Sequence, residues 1–179
     1  SEFEGPAGKG KIIQGKACIA RLSQDAEVYR LWSGPDRAAN GRTNEFGGWW
    51  SFDAPTGNTA DYRAHYEICK SWNELRWVTR CKLKKGTLVV VGPGQSVDAA
   101  TCGAEGETYA EDHAHWQLWL DAPWKNHGPG LALECPEDDS LKATQHHPDR
   151  YCASPSDLAA AGSATDCPAP AAPAPATSP

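Results

Sequence analysis

Seven cysteines (Cys18, Cys69, Cys81, Cys102, Cys135, Cys152 and Cys167) are spread through a chain of 179 residues, and no two of them form a Cys-x-x-Cys pair. Such spacing fits neither a zinc finger nor a thioredoxin-type redox motif. It fits a disulfide framework, which fastens loops and short strands that a small core holds only weakly. Disulfides persist in an oxidising compartment, so the expected setting is secreted, periplasmic or cell-surface. The count is odd, and Cys167 lies in a linker-like tail, where it is unpaired, bridged to Cys152 or bridged to a second chain. Spacing leaves these alternatives, and the whole connectivity, open.

Composition separates the two ends from the middle. "SEFEGPAGKG" at the start reads as a flexible leader reaching residue 15, and "CPAPAAPAPATSP" at the end is a Pro/Ala linker with nothing to bury. The expected organisation is therefore a leader at 1–15, a single catalytic domain at 16–153 and an Ala/Pro-rich tail at 154–179. Seventeen Lys and Arg against twenty-three Asp and Glu give a net charge of -6, with the basic residues scattered apart from "CKLKK" (Cys81 to Lys85). A chain with this charge has no electrostatic reason to seek nucleic acid or an anionic membrane surface. No apolar run approaches the roughly 20 residues that span a bilayer.

Between the ends, short β-rich runs alternate with Gly, Pro, Asn and Asp punctuation. "EVYRLW" (Glu27 to Trp32) puts Val28, Arg30 and Trp32 on one side of a strand and Tyr29 and Leu31 on the other. "GGWWSF" up to Phe52 and "LRWVTRCKL" (Leu75 to Leu83) are further strands. "GTLVVVG" (Gly86 to Gly92) is β-branched and apolar, as in a strand buried on both faces. "HAHWQLWL" (His113 to Leu120) sets Trp116, Leu118 and Leu120 opposite His115, Gln117 and Trp119. Tyr62, His65, Tyr66 and Cys69 recur at helical spacing over Thr59 to Trp72, with Thr59 as N-cap, and Ser154 to Gly162 is a second, Ala-rich helix candidate. The expected fold is α+β and mainly antiparallel β, with two small packed sheets and one or two short helices, stapled by disulfides.

Eight tryptophans, against three phenylalanines and no methionine, are first of all core material. In "WW", however, Trp49 and Trp50 point to opposite faces of a strand, so one of them is available to a groove. Arg30 is costly inside a strand unless it meets an anion, and its fork suits phosphate or carboxylate; a structural ion pair is the plainer alternative. "VYRLWSG", "GGWWSF", "SWNELRWV", "LKKGTLVVVGPG" and "HWQLWL" resemble, in order and spacing, the TNT-type NAD glycohydrolases, named after the tuberculosis necrotizing toxin, within the ADP-ribosyltransferase-like superfamily. The resemblance covers roughly Glu27 to Leu120. It implies an ADP-ribosyltransferase-like fold with NAD as substrate, and a secreted toxin-like enzyme cleaving the nicotinamide N-glycosidic bond; no metal is expected, because no third ligand beside the His pairs is fixed by spacing. On that pattern Arg30 grips the NAD phosphates, Gln117 positions the nicotinamide ribose or an attacking water, and Tyr29, Trp49, Trp50 and Ser51 complete the substrate-binding wall. Expected partners are the dinucleotide, a protein acceptor, or an immunity or inhibitor protein.

Other readings stand beside this one. "EDHAH" (Glu111 to His115) replaces the glycine-rich lead-in of the family, and "EGE" (Glu105, Glu107) matches the E-x-E pair of the mono-ADP-ribosyltransferases that modify macromolecules, although it reads equally as a solvated turn. His113 with His115, and His146 with His147 and Asp149, are His pairs without a third metal ligand fixed by spacing. His113 and Glu111 near Arg80 would serve a secreted ribonuclease. "GPGQS" (Gly92 to Ser96) is a phosphate-cradling loop or simply a turn. A non-catalytic carbohydrate- or protein-binding module is the alternative from a different class; it has no need of Arg30 and Gln117 in one cleft.

Overall fold

The β-branched run centred on Val89 to Val91 became the hub of the larger sheet. In the computed structural model, which describes residues 1–34, 43–55, 57–135 and the strand at 144–145, it forms β7 (Leu88–Gly94). β7 pairs with β2 (Ile12–Ile13), β3 (Cys18–Arg21) and β8 (Asp112–Trp119), all antiparallel, and β8 pairs onward with β5 (Trp49–Trp50). β1 (Glu4–Gly5) joins β2 in parallel at the far edge. The second sheet is built on β6 (Trp77–Leu83), flanked by β4 (Ala26–Trp32), β9 (Leu133–Glu134) and β10 (Thr144–Gln145). The fold is α+β, mainly antiparallel β, and the described residues hold two sheets, two short helices and two disulfides.

The sheets pack through Val28, Trp50, Cys81, Leu83, Val89, Leu118 and Leu133. Each aliphatic side chain there is about 1.5–3 kcal/mol better off than in water, and the Cys81–Cys135 bridge lies within the same cluster. Trp50 and Leu118 sit inside as the alternation requires, whereas Leu88 at the start of β7 is 55% exposed, so that strand is buried only from Val89 onward. One seam joins the two sheets: Tyr29 and Ser51 exchange both main-chain hydrogen bonds at 2.9 Å, which lays β4 beside the end of β5.

Three segments depart from the sequence expectation. The helix α1 runs only over Thr59–His65, and its N-cap is Asn58, whose Oδ1 accepts the Asp61 N–H at 2.8 Å, not Thr59. It stops early because Glu67 takes a left-handed backbone (φ 48°) that an α-helix cannot continue through. Cys69, expected on the helical stripe, instead bridges to Cys102 of the second helix, α2 (Ala99–Cys102). Residues 1–15, expected as a leader, supply β1 and β2, with Ile12 paired to Gly94 and its fully buried side chain in the space over Gly92, where an added Cβ would stand 2.5 Å from it. The Ser154 to Gly162 helix, Cys152, Cys167 and the His146, His147, Asp149 group lie outside the described residues. Among the described residues Cys18 is an exposed free thiol, and no helix is long and apolar enough to cross a membrane.

Candidate active site

Arg30 and Gln117 stand on different sheets, yet the seam between β4 and β5 brings them to one cavity of about 400 Å³. Trp49, Trp50, Tyr62, Tyr66 and Trp72 supply its aromatic walls, and Lys9 and Lys11 reach it from the N-terminal turn. Trp49 is half-buried, while Trp50 belongs to the core and donates its indole N–H to Gly47 O at 2.8 Å.

Arg30 is anchored by main-chain carbonyls. Nε donates to Asn44 O at 2.9 Å and Nη1 to Trp49 O at 2.5 Å. Nη2 lies over Gly47, where an added Cβ would stand 2.3 Å away. Burial pulls the guanidinium down to about 10, with nearby Glu45 opposing that fall, so at neutral pH the cavity keeps a full positive charge. Backbone carbonyls hold the fork in place without neutralising it, which is what an anion-binding arginine requires.

Gln117 is 5% exposed. Nε2 donates to Glu67 Oε2 at 2.7 Å and to Tyr66 O at 3.2 Å, which commits both amide hydrogens and leaves the carbonyl Oε1 as the group offered to the cavity. The floor beside it is Tyr62 packed on Tyr66, ring centroids 4.5 Å apart. Burial pushes the Tyr62 hydroxyl up to about 12 and that of Tyr66 higher still, so both remain protonated donors.

The other two expected wall residues are placed elsewhere. Strand alternation that aims Arg30 at the cavity turns Tyr29 away, and its hydroxyl donates to Glu27 Oε2 at 3.0 Å. Ser51 is fully buried, its hydroxyl donating to Asp53 O at 3.0 Å, and it serves the seam instead of the cavity lining.

The residue that sequence reasoning missed is Glu67. It lines the cavity at 1% exposure, with Oε2 held by Gln117 and no partner on Oε1. Burial pushes its carboxyl up to about 9; the Gln117 hydrogen bond works against that rise and the Asp112 charge adds to it. Room for it exists because position 94 is glycine: a Cβ there would be 1.8 Å from Oε2. A left-handed non-glycine backbone costs ~1–3 kcal/mol, and a buried oxygen without a partner costs about 1–3 kcal/mol more. A placement this unfavourable for folding is of the kind found at functional sites. The signal available in the sequence was a lone acidic residue inside an apolar, helix-like run, which by itself says little.

Among the described residues, the one group able to hold a metal is His65, Asp112 and His115, with ligand atoms within 4.8 Å of one another. The two imidazoles are stacked, centroids 3.9 Å apart and tilted by 13°, so their in-plane lone pairs run parallel and do not converge on one point. Asp112 is already engaged: Oδ2 lies 2.9 Å from His115 Nδ1, and Oδ1 accepts the Ala114 and His115 N–H groups. As it stands, the cluster is a hydrogen-bonded brace at the start of β8. His113 and Glu111 meet at 3.1 Å on the exposed surface, while Arg80 faces Glu27 at 3.9 Å, so no ribonuclease-like trio assembles. Glu105 is exposed and Glu107 accepts from Lys70 N at 2.7 Å and Tyr109 Oη at 3.0 Å, a loop fastening rather than an E-x-E site. The "GPGQS" stretch is likewise occupied internally, with Gln95 Nε2 donating to Gly5 O at 3.3 Å.

No family model matches the chain, and no curated protein matches it. Among solved structures, one described as Tne2 in complex with Tni2 is similar, with a TM-score of 0.41 and 8% identity over 78% of this chain and 95% of that one. A likeness of that size carries no functional weight; the cavity's own chemistry does.

Proposed function

We propose that this cavity binds NAD and cleaves the bond between nicotinamide and ribose, as expected of a secreted NAD glycohydrolase. The supporting observation is the meeting of a charged, carbonyl-anchored Arg30 and a Gln117 with only Oε1 uncommitted, in one aromatic-walled cavity. A dinucleotide calls for such a set: a cation for the pyrophosphate and flat apolar walls for the rings. The motif resemblance between Glu27 and Leu120 points the same way.

The chemistry asks little of the protein. As the C1′–N1 bond breaks, its electron pair neutralises the pyridinium ring, so nicotinamide leaves without a general acid. The ribose carbon becomes oxocarbenium-like, and a fixed carbonyl dipole at Gln117 Oε1 stabilises that charge or accepts a hydrogen bond from the incoming water. Water oxygen bonds to C1′ and its proton passes to solvent. Arg30 holds the phosphates so that the ribose meets Gln117, a positioning effect.

Incubation with NAD under oxidising conditions, with free nicotinamide measured by chromatography, tests this. Release by the intact protein in buffer alone supports hydrolysis; release only with a protein acceptor that becomes labelled moves the assignment to transfer. No release in either case removes the enzyme reading.

A further inference from the structure

Glu67 has no part in the reaction just described, yet the chain places it against Gln117, the side chain proposed to meet the ribose. A glutamine carboxamide can turn end for end, exposing either its carbonyl or its N–H₂ to a ligand, and the two ends have opposite chemistry. Here the nitrogen faces two acceptors. Tyr66 O, a main-chain carbonyl, takes one hydrogen at 3.2 Å, and Glu67 Oε2 takes the other at the shorter 2.7 Å. Glu67 is itself fixed from two directions: the left-handed turn at φ 48° that ends α1, and the side-chain-free space over Gly94 of β7 that receives its carboxyl. The Cys69–Cys102 bridge fastens the chain two residues further on.

We infer that Glu67 is the positioning residue of this site, locking the Gln117 carboxamide so that its carbonyl oxygen is what the ligand meets. The inference rests on the reading that Gln117 acts through Oε1 at the ribose. The groups facing Glu67 are Gln117, Asp112 and Glu111 from β8 and the turn before it; His65 and Tyr66 precede it in its own segment, β7 offers only Gly94, and Lys9 and Lys11 line the same cavity. Among the described residues no cationic group pairs with it, so its carboxyl is left to Gln117. The raised titration of the carboxyl follows from this enclosure.

Two variants and two readouts test the inference. Glu67→Leu removes the acceptor while keeping an apolar filling; Glu67→Gln keeps a carbonyl that still accepts from Gln117. Against NAD, Glu67→Leu is expected to lower kcat by about 10- to 100-fold with little change in KM, the size of effect that misplacing a reacting group produces. Glu67→Gln recovers most of that loss, and Glu67→Leu adds nothing in a Gln117→Ala background. Full additivity of the two, or equal loss in Glu67→Gln and Glu67→Leu, overturns the inference. The second readout needs no substrate: NMR of the glutamine side-chain amides, with the Gln117 pair identified by its loss in Gln117→Ala. In the wild type that pair is expected to be well dispersed and slow to exchange, and to shift as Glu67 titrates on the alkaline side; in Glu67→Leu it moves to free-amide positions. A Gln117 pair that is averaged in the wild type, or that stays flat through the alkaline titration, sinks the proposal even if Glu67→Leu fails to fold. A locked pair in a protein that never cleaves NAD leaves the positioning intact and rejects the reaction instead.

Discussion

Replacing Glu67 by glutamine is expected to flatten the dependence of stability on pH. In the folded protein, burial raises this carboxyl to about 9 from an ordinary value of 4.5. Between those values the native state keeps a proton that the unfolded chain has released, so the unfolded state binds fewer protons and stability falls as pH rises. Below the lower value the contribution is fully present, and above the upper one it is lost. Each pH unit inside the window corresponds to about 1.4 kcal/mol. From pH 5 to pH 8 the wild type therefore loses roughly 2–4 kcal/mol on account of Glu67, allowing for its coupling to Asp112. Glu67→Gln has no proton to lose. The assay is urea unfolding at pH 5, 6.5 and 8, followed by tryptophan fluorescence, with the difference between the two proteins taken at each pH so that the histidines cancel. The expected difference grows in favour of Glu67→Gln with each step upward. Parallel profiles would refute the reasoning, because they would mean that Glu67 titrates in the folded protein much as it does in the unfolded chain.

Two further outcomes follow from the same packing. Gly94→Ala puts a Cβ 1.8 Å from Glu67 Oε2 and is expected to destabilise the fold by roughly 3 kcal/mol or more, with most of that recovered in the double variant with Glu67→Ala; chemical denaturation of the three proteins measures it. Removing the Cys69–Cys102 bridge by paired serine substitution is expected to cost roughly 3–4 kcal/mol, in line with the loop it closes, and to lower kcat beyond the loss of folded protein, since the bridge holds the segment carrying Glu67. Mild reduction monitored by activity and circular dichroism together separates the two effects.

The sheets were legible wherever periodicity was strong. Val89 to Val91 announced a central strand, and the alternation at Trp49 and Trp50 told inside from outside, whereas in β8 Trp116, expected on the Leu118 face, is exposed and Gln117 opposite it is buried. The cavity pair was legible too, through the motifs that carry Arg30 and Gln117. Local pattern failed where distant residues decided the outcome. Tyr62, His65, Tyr66 and Cys69 keep helical spacing, but Cys69 is claimed by Cys102, and Glu67 turns left-handed to fill a hole over Gly94; no window of sequence contains both partners. Ile12 hid in a Gly- and Lys-rich lead-in because its partner, Gly94, lies on β7. Tyr29 faces away from the cavity that Arg30 lines, because neighbours on a strand point opposite ways, and Ser51 sits in the seam because its main chain pairs with Tyr29.

The central functional proposal is that Arg30 and Gln117 act together on NAD in this cavity. The measurement that tests it most directly is the rate of nicotinamide release from NAD by the wild type, Arg30→Ala and Gln117→Ala, each verified as folded and oxidised. The expected result is release by the wild type, a raised KM in Arg30→Ala, and a kcat at least about 100-fold lower in Gln117→Ala. Nicotinamide release that survives both substitutions, or a wild type that releases none, would contradict it.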